Sequence, residues 1–151
     1  MSTDDTIDTL NDLIETSKDG EYGFRTSAEY LRSSETKRLF MRRADECRQA
    51  AAELQTLVVQ LGGKAEDSGS ATGAMHRGWV SVKGTLSGYS DKAILEETER
   101  GEDTAQESYR KALATDLPPG VLEVVERQFE GVKRNHAQVR ALRDKARATD
   151  T

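Results

Sequence analysis

Residues 40–63 read FMRRADECRQAAAELQTLVVQLGG. Apolar side chains recur at Phe40, Ala44, Cys47, Ala51, Leu54, Val58 and Leu61, in steps of four and three. That spacing lays one continuous stripe along an α-helix, as in a helical-bundle seam. Gly62-Gly63 follows the last stripe residue, where a helix commonly ends on a glycine. Ser33 and Ser34 precede the stripe and are suited to cap its start. A helix over about 35–61 is predicted.

The pattern continues on both sides. Upstream, Ile7, Leu10, Ile14, Ser17, Glu21, Phe24, Ala28 and Leu31 mark a helix over about 5–31. Gly20 and Gly23 each weaken it by roughly 1 kcal/mol relative to Ala, which points to close approach of a neighbour or to a kink. The link between these two helices is short, so they pack antiparallel. Downstream, Ser90 is suited to cap a third helix over about 91–115, with Ile94, Thr98, Gly101/Glu102, Ala105, Tyr109 and Ala112 inward. Leu117-Pro118-Pro119-Gly120 starts a fourth over about 118–147, since proline suits a first helical turn. Its inward face is Val121, Val125, Gln128, Val132, His136, Val139 and Leu142. Residues 62–90 form a long crossover. Within it, Met75, Trp79, Val82 and Leu86 predict a short amphipathic helix over about 74–87, lying on the bundle by its Trp79 face.

Two helical hairpins joined by one long crossover make residues 1–151 a single all-α domain, an antiparallel four-helix bundle of ferritin-like connectivity. The composition agrees, with 35% hydrophobic and 32% charged residues, because each bundle helix gives the core only one stripe. The third helix is acid-rich and the fourth base-rich, which favours their pairing. A net charge of -5 and a pI near 5.2 argue against a nucleic-acid partner. No basic cluster suits anionic lipid, and no apolar run suits a membrane span. Met1 to Asp5 is polar and acidic, so no targeting leader is expected. Cys47 is the only cysteine, so no internal disulfide forms. A reducing bacterial-type cytoplasm is the expected compartment.

The functional argument rests on polar residues where a core is normally apolar. Glu21 lies on the first seam, Glu102 on the third inner face, and Gln128 and His136 on the fourth. Arg43 falls within the apolar arc of the second helix, and Glu46 at its edge. Folding the first hairpin near Ser33 brings Glu21 beside Arg43 and Glu46. Folding the second near Leu117 sets Glu102 level with Val132, flanked by Gln128 and His136. All of them therefore fall near mid-height, where burying them unpaired costs several kcal/mol.

Two arrangements satisfy these groups. One is a core polar network of Glu21, Arg43, Glu102, Gln128 and His136, with Glu21 on Arg43 and Glu102 on His136 or Gln128. The other is a metal site of Glu21, Glu46, Glu99, Glu102 and His136, whose oxygen and nitrogen ligands suit iron, manganese or zinc. A di-iron centre of the ferritin-like kind needs Glu-x-x-His on two helices. Lys133 precedes His136 by three and Gly73 precedes His76 by three, so that motif is absent. Cys47 reads as a small core residue, Trp79 as a packing anchor and His76 as a surface or capping residue. No phosphate loop or Ser-His-Asp arrangement is present, so no catalytic or cofactor-binding residue is assigned.

Several stretches occur together: Leu10-Asn11-Asp12-Leu13-Ile14-Glu15, Asp19-Gly20-Glu21-Tyr22-Gly23-Phe24, Leu61-Gly62-Gly63, His76-Arg77-Gly78-Trp79, Arg100-Gly101-Glu102-Asp103 and Leu117-Pro118-Pro119. With these the chain, from about Thr6 to Asp144, resembles a bacterial family of ferritin-like four-helix-bundle proteins of unknown function. The resemblance implies the bundle fold and a bacterial cytosolic setting, and it suggests a link to stress responses. It implies no activity.

Two functional readings follow. The first is a non-enzymatic bundle that self-associates, a dimer first, with the Trp79 helix, Leu39 and Leu57 as contact surface. The second is a metal-binding or redox protein using the carboxylates and His136. Convergence of the carboxylates on one point favours the second; Arg43 among them favours the first.

Overall fold

The computed structural model describes residues 1–67, 69 and 90–149. These residues form four helices: α1 (Thr3–Tyr30), α2 (Ser34–Gln60), α3 (Asp91–Leu113) and α4 (Pro119–Thr149). The predicted short helix over 74–87, with Met75, His76, Trp79, Val82 and Leu86, lies outside the described residues.

Local chemistry fixes the helix ends. Ser2 caps α1 in a reciprocal box: Asp5 N–H donates to Ser2 Oγ at 3.1 Å, and Ser2 N–H donates to the Asp5 carboxylate at 3.4 Å. That cap starts α1 at Thr3, two residues before the first expected helical residue. Ser33 caps α2 and Ser90 caps α3 through one bond each, accepting from Thr36 N–H at 3.3 Å and Ala93 N–H at 3.2 Å. Beyond α2, Gly62 adopts φ +84°, and Gly63 N–H reaches back to Val58 O at 3.0 Å. Only Gly adopts that φ without strain. Gly63 is needed for a different reason. A Cβ there would lie 2.7 Å from Ile7 Cδ1, so the chain leaving α2 passes directly over α1.

Both hairpins are antiparallel. α1 packs on α2 and α3, and α4 packs on α3 and, less closely, on α2. One bond pair sets the start of α3 beside the first turn: Arg32 N–H and Ser33 N–H both donate to the Asp91 carboxylate, at 2.8 and 3.0 Å. At the opposite end, Asn11 donates to Lys64 O at 3.1 Å and accepts from Glu66 N–H at 2.9 Å, pinning the chain as it leaves α2.

The apolar core is split in two. One cluster, at the α3–α4 turn, gathers Leu10, Leu13, Ile14, Leu54, Val58, Tyr109, Leu117, Val121 and Val125. The other, at the α1–α2 turn, gathers Phe24, Ala28, Phe40, Ala44, Cys47, Ile94, Leu95 and Val139. Each buried Leu or Phe contributes roughly 1.5–3 kcal/mol, so the two clusters hold the bundle together. Between them α1 and α2 come close at Gly20, where a Cβ would meet Cys47 Sγ at 2.9 Å. Of the two readings of this glycine, close approach is the one the packing requires.

Candidate metal centre in a polar midsection

The space between the apolar clusters is polar, and its residues belong to different helices. A hydrogen-bonded relay ties α2, α3 and α4 together. Tyr109 on α3 donates to Gln128 Oε1 on α4 at 2.8 Å. Gln128 Nε2 donates in turn to Glu53 Oε1 on α2 at 2.8 Å, and Glu53 is ion-paired with Arg127. Burial outweighs the lowering effect of Ser17 on α1 and pushes the Tyr109 phenol pKa up to about 12, so Tyr109 stays a neutral donor.

About two to three turns nearer the start of α3 than Tyr109, Glu99 and Asp103 stand four residues apart and therefore share a helix face. His136 on α4 faces them, its Nε2–H donating to Asp103 Oδ1 at 2.8 Å. One ligand atom from each of Glu99, Asp103 and His136 lies within 4.8 Å of the other two. Glu99 and His136 are buried, and Asp103 is exposed. One nitrogen and two oxygens of this kind, from an imidazole and two carboxylates, suit a single first-row divalent cation. Glu99 is already engaged, however: Arg140 Nε donates to its Oε1 at 3.3 Å, and Arg143 pairs with its Oε2.

Glu102 lies about 60° round the helix from Glu99, towards the bundle interior. It is 3% exposed, and among the described residues neither carboxyl oxygen has a hydrogen-bond partner. Burial pushes its pKa up to about 7; the Arg43 guanidinium opposes this and Asp103 adds to it. Arg43 is itself buried, its Nε without a hydrogen-bond partner among the described residues, with one NH 3.9 Å from Glu46 and its guanidinium 5.5 Å above the Phe24 ring. Glu102 and Arg43 border a cleft of about 1270 Å³ lined by all four helices. Cys47 lies in the same region, its thiol pushed up to about 11 by burial, which leaves it inert.

The residues singled out in the sequence therefore separate. Glu99 and His136 come together, and Asp103 joins them. Glu102 stands apart on the core side of α3. Glu21 sits half-buried with Arg25 at 3.3 Å, and Glu46 accepts from Asn135 at 3.2 Å. The pairings expected for the network form differently: Arg43 meets Glu46, His136 meets Asp103, and Gln128 meets Tyr109 and Glu53. Asp103 was missed because it projects outward from the apolar stripe; its i, i+4 spacing from Glu99 was the available signal. A two-metal carboxylate centre requires Glu or His from every helix. Among the described residues, α1 gives the buried midsection Ser17 and α2 gives Arg43, neither of them a Glu or His, so it does not fit such a centre.

No described helix is long and apolar enough to cross a membrane. The fold is similar to that of a Mycobacterium smegmatis Dps1 variant, with a TM-score of 0.76 and 14% identity over 95% of this chain and 99% of that one. It is also similar to a dodecameric thioferritin, the bacterioferritin-related protein of Bacteroides fragilis, with a TM-score of 0.77 and 15% identity over 99% of this chain and 91% of that one. These likenesses show the ferritin-like fold. No curated protein matches the chain. The match to a family covers residues 5–115, from α1 through α3, and by it the chain belongs to DUF2383, a domain of unknown function.

Proposed function

We propose that this chain is a ferritin-like bundle that reversibly binds one divalent transition-metal cation between α3 and α4, through Glu99, Asp103 and His136. The observation that carries the reading is the convergence of three ligand atoms from two helices within 4.8 Å. A shared cation at about 2.0–2.2 Å from each would need only side-chain rotation to draw them in. Iron, manganese and zinc fit the mixed nitrogen and oxygen set. Arg140 and Arg143 compete for Glu99, so binding is modest in strength and suits sequestration and release more than a permanently held cofactor. Two-metal oxidase chemistry is not part of the proposal, since the midsection lacks the carboxylates for it.

The second reading, a metal-free bundle that works by self-association, is favoured by those same arginines: they already neutralise Glu99. Self-association is compatible with either reading. It is supported by the dodecameric assembly named for the Bacteroides fragilis protein. A dimer is the first assembly to test, by native mass spectrometry.

Titration calorimetry of the tag-free, chelator-treated chain with manganese(II) and zinc(II) tests the site. One cation per chain, with binding lost in Asp103→Asn/His136→Gln, is expected. Equal binding by the native chain and this variant, or none by either, overturns the assignment.

A further inference from the structure

A cation bound at Glu99 would displace two arginines. Arg140 Nε lies 3.3 Å from Glu99 Oε1, and Arg143 pairs with Glu99 Oε2. Arg143 also holds Asp144 at 2.8 Å. A divalent cation that draws in Glu99 and Asp103 uses both of their negative charges. Two guanidiniums then face the single Asp144 carboxylate, and a net positive charge is left beside the metal. Arg143 has a side chain only 15% exposed, so water screens this charge poorly. The Asp103 and Arg140 side chains, in contrast, are 61% and 58% exposed. A dissolved anion therefore has a way in from that side.

We infer that the site takes its cation together with an oxyanion of the phosphate class, held between the metal and the Arg140 and Arg143 guanidiniums. This rests on the metal reading above. His136, Asp103 and Glu99 supply one ligand atom each, which leaves a four-coordinate cation one open position. Three cationic centres then need an oxygen: the metal, Arg140 and Arg143. A phosphate group has an oxygen for each. A carboxylate has only two, and leaves one centre unserved. Guanidinium groups are also well matched to phosphate, through charge-assisted N–H bonds. The competition for Glu99 is thereby reversed. Without phosphate the arginines hold Glu99 against the metal. With phosphate they gain a replacement partner and release it. Metal and phosphate bind cooperatively, each raising the affinity of the other by the same factor.

The test titrates manganese(II) calorimetrically into the full metal-free chain, with and without inorganic phosphate, correcting free manganese(II) for its phosphate complex. Phosphate should tighten manganese(II) about tenfold, and acetate should do much less. Phenyl phosphate separates two sources: tightening by both phosphates identifies a phosphate group borne by a larger molecule, and tightening by phosphate alone the free ion. Arg140→Gln changes an exposed side chain and should lose most of the effect. Arg140→Gln/Arg143→Gln should lose all of it, while still binding manganese(II) in phosphate-free buffer at least as tightly as the native chain. Bound manganese(II) should also speed phosphorus-31 relaxation in the native complex and not in the double variant. Manganese(II) binding that ignores phosphate, a phosphate effect that survives in the double variant, or equal tightening by acetate overturns this inference and leaves the metal site standing. Manganese(II) that binds under neither condition overturns both.

Discussion

Asp103 Oδ1 and His136 Nε2 meet at 2.8 Å across the α3–α4 interface, with the imidazole buried and the carboxylate at the surface. Against a carboxylate oxygen, that ring nitrogen carries the proton. To bind a cation through Nε2 the imidazole must expose a lone pair there, so the proton moves to Nδ1. Nitrogen-15 NMR of His136 should therefore report the Nε2–H tautomer in chelator and the Nδ1–H tautomer with zinc(II). An unchanged tautomer on saturation would place the metal elsewhere.

Arg143 should act in opposite directions on stability and on metal affinity. It is largely buried and pairs with Glu99, while Arg140 also contacts that carboxylate. Arg143→Ala leaves a buried carboxylate with one cationic partner, and should cost about 2 kcal/mol in urea denaturation. It also frees an oxygen of Glu99, so manganese(II) affinity should rise several-fold by calorimetry. A loss of both stability and affinity would mean that Arg143 positions the site rather than competing with it.

Glu102 makes stability depend on pH. Its ordinary pKa of 4.5 is raised to about 7 in the folded chain, so the native state holds the proton more tightly than the unfolded one. The unfolded carboxyl ionises first, and stability falls as pH rises from about 4.5 to about 7, then levels off. The gap corresponds to about 3 kcal/mol. In chelator, Glu102→Leu should remove this contribution and be more stable than the native chain at pH 8, by about 2–3 kcal/mol, with a much smaller difference at pH 4. Equal pH profiles for the two proteins would show that Glu102 reaches a partner in solution.

Glu21→Leu should be close to neutral. If Glu21 balanced a buried Arg43, its loss would cost about 3–5 kcal/mol. Glu21 is paired instead with Arg25, which is 46% exposed, and such surface pairs contribute about 0–1 kcal/mol. A thermal or urea midpoint shifted by much more than that would revive a role for Glu21 in the core.

The two glycines after α2 should fail differently. Gly62→Ala forces a side chain into φ +84° and should cost about 1 kcal/mol, less as Gly62→Asn. Gly63→Ala drives a methyl into Ile7 and should cost about 1–3 kcal/mol. Ile7→Ala should recover part of the second loss and none of the first, as a double-mutant cycle would read directly.

The amino-acid sequence by itself determined the helices and much of their order. Stripes such as Phe40 to Leu61 have a period set by local geometry, and serines 33 and 90 and Gly62 act on backbone groups a few residues away. Hairpin arithmetic also carried the polar groups to mid-height, because height along a bundle is simply distance from the turn. The partners were a tertiary matter. Glu99, Glu102 and Asp103 lie within five residues on α3, yet two face α4 and one faces the cleft, and that division depends on the helix's rotation about its axis and on the arginines opposite. Each α-helical residue turns the side chain by about 100°, so a small rotation exchanges a core carboxyl for an interface one without altering the apolar stripe. For the same reason Arg43 meets Glu46 and Phe24 rather than Glu21: long side chains choose among several partners at one height, and only the packed bundle selects one.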